Sequence, residues 1–273
     1  MRRGRLLLAV AVAAIGFFTY WSSRQQNPIT GEVQAIALSP EQEIAMGLQA
    51  APEMAAEFGG LDPDDSIQND LREIGSRLVR NSSARTTPYQ FRFAVLADRQ
   101  TINAFALPGG PVFITRALLD RLENEAQLAG VLGHEIGHVV GRHSAEQIAK
   151  SQFAQSLVTA VGVAASDQGG QGQGAAQMAA MVAQMVQMKY GRGDELQSDQ
   201  LGVASMAQSG YDPRAMIRVM AILAEASGGS RQPEFMSSHP DPGNRVQAIE
   251  AEIARQFPGG VPANLSLGRP VQL

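Results

Sequence analysis

The chain has 273 residues, 44% of them hydrophobic, enough to bury a sizeable core in one domain without requiring two. Its formal charge is −4, and once Arg2, Arg3, Arg5 and Arg24 are set aside 18 basic side chains stand against 26 acidic ones, which excludes a basic nucleic-acid-binding face. With no cysteine, disulfides, thiolate metal sites and a lipid-modified N-terminal Cys are excluded, so any metal must be held by nitrogen and oxygen.

Met1-Arg-Arg-Gly-Arg5 precedes an apolar run from Leu6 to Trp21. A basic start keeps to the cytoplasmic side while the apolar part enters the membrane, so residues 1–24 read as a signal peptide or a signal anchor. The run is 16 residues long, between a signal-peptide core and the roughly 20 residues that span a bilayer, and both readings stand. Either way the rest is expected to be exported, to the periplasm, with residues 6–21 anchoring it to the inner membrane if the segment is kept. Residues 25–38 read as a linker.

Ser39-Pro40-Glu41-Gln42-Glu43 opens a helix, with Ser39 as N-cap, Pro40 in the first position and acidic residues in the first turn. This begins a domain expected over 39–257. A helix follows at about 66–80. Tyr89 to Val95 alternates large apolar residues with others and reads as a strand, and Asn103 to Ile114 as strand, turn, strand, together a small sheet. From Arg116 to about Gln152 the pattern is helical, in two segments broken near Arg121 to Asn124. A helix over Gln152 to Ala165 precedes the glycine-glutamine stretch Ser166 to Gly174, which no regular element tolerates and which is expected to be mobile. Met178, Met181, Met185 and Met188 then share one helix face, either as core or as an adaptable surface touching a membrane or an unfolded chain. Helices at about 194–209 and 213–227, the Ser237-Ser-His239-Pro240 segment, a helix to about Gln256 and a tail over 258–273 complete the chain.

The chemistry starts at His134-Glu135-Ile136-Gly137-His138, inside a helix. Residues four apart lie one turn above each other, so two imidazoles can grip one metal ion, and Glu135, a third of a turn round, can act as general base. The alternative is a pair of core histidines bonded to carboxylates. A catalytic site of this kind needs a third ligand, for which Glu195 is the candidate. Asp199, four residues on, is placed to accept the spare N–H of a ligand histidine and fix its tautomer. Against this, Asp194 and Glu195 also suit a solvated helix start. His143, five residues beyond His138 and about 140° round a continuous helix, is read as structural.

His134-Glu-x-x-His138, Glu195-x-x-x-Asp199 followed by Gly202, the upstream Asn103-Ala-Phe-Ala-Leu-Pro-Gly-Gly segment, and Ser-His239-Pro with Arg245 stand in one order. Together, over roughly residues 38–255, they resemble the zinc metallopeptidase family that contains HtpX, the CAAX prenyl protease, the mitochondrial Oma protease and BepA. The likeness is to its soluble periplasmic branch, without a helical-repeat extension. It implies a gluzincin-type fold, α+β and mainly helical, with a small β-sheet beside the HExxH helix. It further implies one Zn2+ per chain on His134, His138 and Glu195, with Glu135 as base. Asn103, Ala104, Phe105, Gly109 and Gly110 would border the cleft and take substrate backbone as an added strand, giving broad specificity. Two departures stand out: Gln197-Ser198 replaces the acidic-Ala pair usual before the Asp, and Pro111 removes a backbone donor after the double glycine.

His239 has three readings: a donor to the developing oxyanion, a fourth zinc ligand that displaces water, or a loop histidine capping a turn. Arg245 either steadies the same charge or pairs with an acidic neighbour. The expected function is a zinc metalloendopeptidase acting on unfolded or misfolded cell-envelope proteins in quality control. The rivals are a chaperone-like binding protein with a closed zinc site and a zinc hydrolase of non-peptide bonds.

Overall fold

Asp64 begins the fold's clearest helix by accepting from the backbone N–H of Ser66 and Ile67 through its side chain, which starts α3 (Asp65–Asn81). Its apolar residues Ile67, Leu71, Ile74 and Leu78 recur at three- and four-residue spacing and are all buried. The computed structural model describes residues 2–165, 189–227, 233–240 and 243–271. The expected Gly/Gln loop at 166–174 and the methionine face of 178–188 lie outside them. The described chain forms an α+β fold that is mainly helical, and it divides into two units, residues 1–39 with 144–188 and residues 40–143 with 189–273.

In the larger unit α3 packs on a three-stranded sheet, β3 (Arg92–Leu96), β4 (Ala104–Ala106) and β5 (Pro111–Thr115), in the order β3-β5-β4. β5 pairs parallel with β3 and antiparallel with β4, so β4 has a strand on one side only among the described residues. Buried Gln68 of α3 ties helix to sheet, donating to the carbonyls of Asp62 and Val95 and accepting from the Val95 N–H. Pro111 opens β5, a position where a strand tolerates a missing donor. Gly109 and Gly110 form the β4–β5 turn at φ 77° and 125°. A Cβ on Gly109 would lie 2.3 Å from the Ile44 Cα of α2 (Pro40–Glu57), and one on Gly110 2.6 Å from the Gln90 carbonyl carbon. The double glycine is therefore demanded by close packing.

A short turn, α4 (Arg116–Leu119), leads into α5 (Glu125–Val140), whose every residue from Ala126 to Val140 is buried. α7 (Arg192–Gln208), α8 (Ala215–Ser227), the short α9 (Glu234–Ser238) and α10 (Arg245–Gln256) complete the unit. α5 and α7 form its most intimate helix pair. A Cβ on Gly137 would stand 2.9 Å from the Ser198 carbonyl oxygen, so the glycine lets the two backbones meet.

In the C-terminal tail, residues 267–271 bond to this unit. The N–H groups of Glu125 and Ala126 donate to the carbonyls of Arg269 and Leu267, and Val271 N–H donates to Glu123. Asn124 accepts from Gln127 N–H through its side chain. The first-turn donors of α5, which a helix cannot satisfy itself, find partners this way.

In the smaller unit α1 (Arg2–Ser22) packs on a hairpin of β1 (Arg24–Gln26) and β2 (Val33–Ala35), where a linker was expected. Asn27 makes the turn by accepting from the N–H of Ile29 and Thr30. The 39–257 domain is interrupted as well, because most of α6 (His143–Ala165) groups with α1. Phe153 supplies the reason: its ring stacks on Tyr20 at 5.0 Å and meets the Phe17 edge at 6.5 Å. Among the described residues no helix is both long and apolar enough to cross a membrane.

Candidate metal centre

α5 delivers His134, Glu135 and His138 to its contact with α7, which delivers Glu195 and Asp199. All five are at most 2% exposed. The solvated helix-start reading of Glu195 fails on this point, because Asp194 takes the capping role by accepting the Gly191 N–H at 2.8 Å while Glu195 turns inward. His239 follows α9 and is also fully buried. His134, His138, Glu195 and His239 each present a ligand atom, and these atoms all lie within 4.8 Å of one another, close enough to hold one metal ion.

The polar atoms fit such an ion. Glu195 Oε2, His239 Nε2 and both carboxylate oxygens of Glu135 are buried without a hydrogen-bond partner. Orphans of this kind are costly unless a ligand or its water takes them up. The donors are imidazole nitrogen and carboxylate oxygen, which suit zinc and similar divalent ions. Glu135 Oε1 sits 3.6 Å from His239 Nε2, at the edge of the cluster.

Electrostatics separate the roles of the acids. Burial raises the Glu135 carboxyl above the usual carboxylate range. Burial acts the same way on Glu195, but the surrounding His239, His134 and His138 hold it well below that range. Asp199 is likewise held low against its burial by Arg245 and His134. Of the two HExxH imidazoles, His134 is pushed up to about 9 despite burial and Arg245, because Asp199 and Glu195 accept from it, whereas burial drives His138 well below the ordinary histidine value.

His134 Nδ1 lies 2.8 Å from Asp199 Oδ1, so its N–H has the acceptor that the sequence spacing predicts. Arg245 pairs with acidic neighbours: its Nε and Nη2 grip the two Asp199 oxygens at 2.7 and 2.8 Å, and Nη1 comes within 3.1 Å of Glu195 Oε2 at an angle that makes no hydrogen bond. Asn103 is buried with its side-chain oxygen unpartnered, Ala104 is buried, and the Phe105 ring packs between Phe58 and Phe113.

Three aromatic contacts were not apparent from the sequence. Tyr190, just before α7, stacks on His138 at 3.8 Å. Phe235 stacks on His239 at 4.4 Å, from four residues earlier on α9. His143 meets His138 directly, with the two Nδ1 atoms 2.9 Å apart. The 140° argument assumed an unbroken helix, but α5 ends at Val140 and Arg142 takes φ 58°, which folds the His143 ring back. His143 still lies outside the metal-holding group.

Residues 65–253 match Peptidase family M48. The chain is 35% identical over 227 residues to a beta-barrel assembly-enhancing protease of Yersinia pestis, covering 80% of this chain and 45% of that protein. It is 32% identical over 254 residues to the protein of the same name from Escherichia coli K12, covering 90% and 51%. It is 28% identical over 244 residues to the mitochondrial metalloendopeptidase OMA1 of Schizosaccharomyces pombe, covering 88% and 69%. The chain thus spans about half the length of the assembly-enhancing proteases it matches. A match that takes in α3, the sheet and every residue of the buried cluster leaves one conclusion: the chain belongs to peptidase family M48.

Proposed function

We propose that the protein is a zinc-dependent metalloendopeptidase of the cell envelope that hydrolyses peptide bonds in misfolded or mislocalised envelope proteins. The observation that carries the reading is the convergence of His134, His138 and Glu195 within 4.8 Å, with the partnerless Glu135 carboxylate beside them. Bound there, zinc supplies a Lewis acid for the scissile carbonyl and lowers the pKa of the attacking water. His134, His138 and Glu195 hold it, and Asp199 keeps the His134 tautomer by accepting its Nδ1–H. Glu135 accepts the proton of the attacking water on a carboxylate oxygen and passes it to the leaving amine. Arg245 keeps Asp199 ionised and in place. Substrate backbone adds as a strand to the open side of β4, beside Asn103 and Phe105, so that main chain rather than side chains is read. The basic, apolar N-terminus supports export, and the names of the relatives support a protein substrate.

His239 decides a second reading. Its Nδ1 lies 3.2 Å from His134 Nε2 and 3.1 Å from Glu195 Oε1, where a fourth ligand would sit. In this arrangement it closes the site, and cleavage requires the ring to leave and donate to the developing oxyanion instead. The test is degradation of casein, an unfolded substrate, by the zinc-loaded full chain, wild type against Glu135→Gln and His239→Ala. Cleavage by wild type that Glu135→Gln abolishes sustains the enzyme. Cleavage only by His239→Ala sustains a latent enzyme, and zinc binding without cleavage in any of the three favours the chaperone-like binding protein.

A further inference from the structure

His138 turns Nε2 towards the cluster, 3.0 Å from His134 Nε2 and 3.4 Å from Glu195 Oε1. An imidazole that gives one nitrogen to a cation keeps its proton on the other and needs an acceptor there. For His134 that acceptor is Asp199. For His138 it is the Nδ1 of His143, 2.9 Å from His138 Nδ1. His143 can accept on Nδ1 only as the tautomer that carries its proton on Nε2, and that nitrogen lies 2.9 Å from Gln197 Oε1. An amide oxygen accepts and never donates, so it selects this tautomer. Ser198 Oγ lies farther from the same His143 Nδ1, at 3.3 Å.

The backbone is shaped for this contact. Arg142 is the one non-glycine residue with positive φ among those described, and the Arg142 Nε–Glu43 Oε1 bond at 2.9 Å holds it in a buried ion pair. The preceding Gly141 admits the ring, since a Cβ there would stand 2.4 Å from His143 Nε2. A left-handed residue and a required glycine together turn His143, 1% exposed, back onto His138. Gln197, in the first turns of α7, meets His143 across 54 positions.

We propose that His143 and Gln197 are positioning residues for His138, a two-step relay that orients the second metal ligand as Asp199 orients the first. The proposal rests on the metal centre put forward above. The bonds run from His138 Nδ1–H to His143 Nδ1, and from His143 Nε2–H to Gln197 Oε1.

The experiment measures zinc dissociation constants of the full chain by competition with a chromogenic chelator. It adds the visible spectrum of the Co2+ form and the melting temperature of the metal-free form. Gln197→Leu and His143→Leu are each expected to weaken zinc about 10- to 100-fold, the usual effect of losing such a partner. Gln197→Glu keeps an acceptor and should restore affinity to within several-fold of wild type. The double variant should bind no more weakly than His143→Leu alone, because Gln197 acts only through His143. The Co2+ bands should shift in Gln197→Leu while its metal-free melting temperature stays near wild type. Unchanged zinc affinity in a folded Gln197→Leu, or additive losses in the double variant, would overturn the relay while leaving the metal centre standing. A wild type that binds no zinc would overturn the metal-centre reading and this one with it.

Discussion

Asp199 lies behind His134, so its part can be tested apart from the proposed ion. It touches no substrate, so Asp199→Asn should weaken zinc about 10- to 100-fold while removing one of the two groups that fork onto Arg245, a loss read by chelator competition. His134 gives a pH dependence whose sign can be worked out. Its folded pKa, pushed up to about 9 by Asp199 and Glu195, exceeds the unfolded value of about 6.5. The stability it contributes to the chelator-stripped protein is therefore complete below about pH 6.5 and lost as pH rises through about 9. The zinc form should lack this loss, because the metal has replaced the proton. Melting temperatures from pH 6 to 9, with and without chelator, would show it, and parallel curves would refute it. His134, Glu135 and His138 were legible as one group because four-residue spacing on a helix carries its own geometry, as it does for the Glu195–Asp199 pair; that the two pairs meet was suggested only by the family resemblance. Tyr190, Phe235 and the His143–Gln197 contact were not, since each depends on where a chain break or a distant element puts a ring.

Elements were legible where their ends are written locally. Pro40 starts α2, and the β4–β5 turn falls on Pro108-Gly109-Gly110. The pairing order was not, because β3 skips its neighbour in sequence to lie parallel to β5. The α5–α7 contact makes a sharp prediction. Gly137→Ala places a Cβ 2.9 Å from the Ser198 carbonyl oxygen, and overpacking of this kind costs about 1–3 kcal/mol. Denaturant unfolding should show that loss, with zinc affinity falling too because Glu195 and Asp199 move with α7. Removing residues 264–273 deletes the acceptors of two α5 first-turn N–H groups and the donor to Glu123, at about 1 kcal/mol for each bond. Amide hydrogen exchange at Glu125 and Ala126 should rise in that variant while the β3–β5 amides stay protected.

Across the whole molecule, every group in the metal cluster belongs to the unit formed by residues 40–143 and 189–273. Zinc binding stabilises what it binds by mass action, about 2.7 kcal/mol at a hundred times the dissociation constant. Calorimetry should therefore show zinc raising the transition of that unit and leaving the 1–39 with 144–188 unit where it was; a common shift of all the absorbed heat would count against separate units. This division was hidden from the sequence, where residues 144–165 continue the helical pattern; contacts such as those of Phe153 with Phe17 and Tyr20 reveal the grouping. The contacts of the C-terminal tail were hidden for a similar reason, because its polar, glycine-containing composition says nothing about the helix end that its carbonyls meet. That helix end sets a schedule. The histidines of α5 are synthesised well before Leu267 and Arg269, yet the N–H groups of Glu125 and Ala126 that start their helix find their acceptors only there. A nascent chain thus carries His134 and His138 in a helix whose first turn is not yet fully tied down, so the buried cluster takes its final shape only once residues 267–271 have been made.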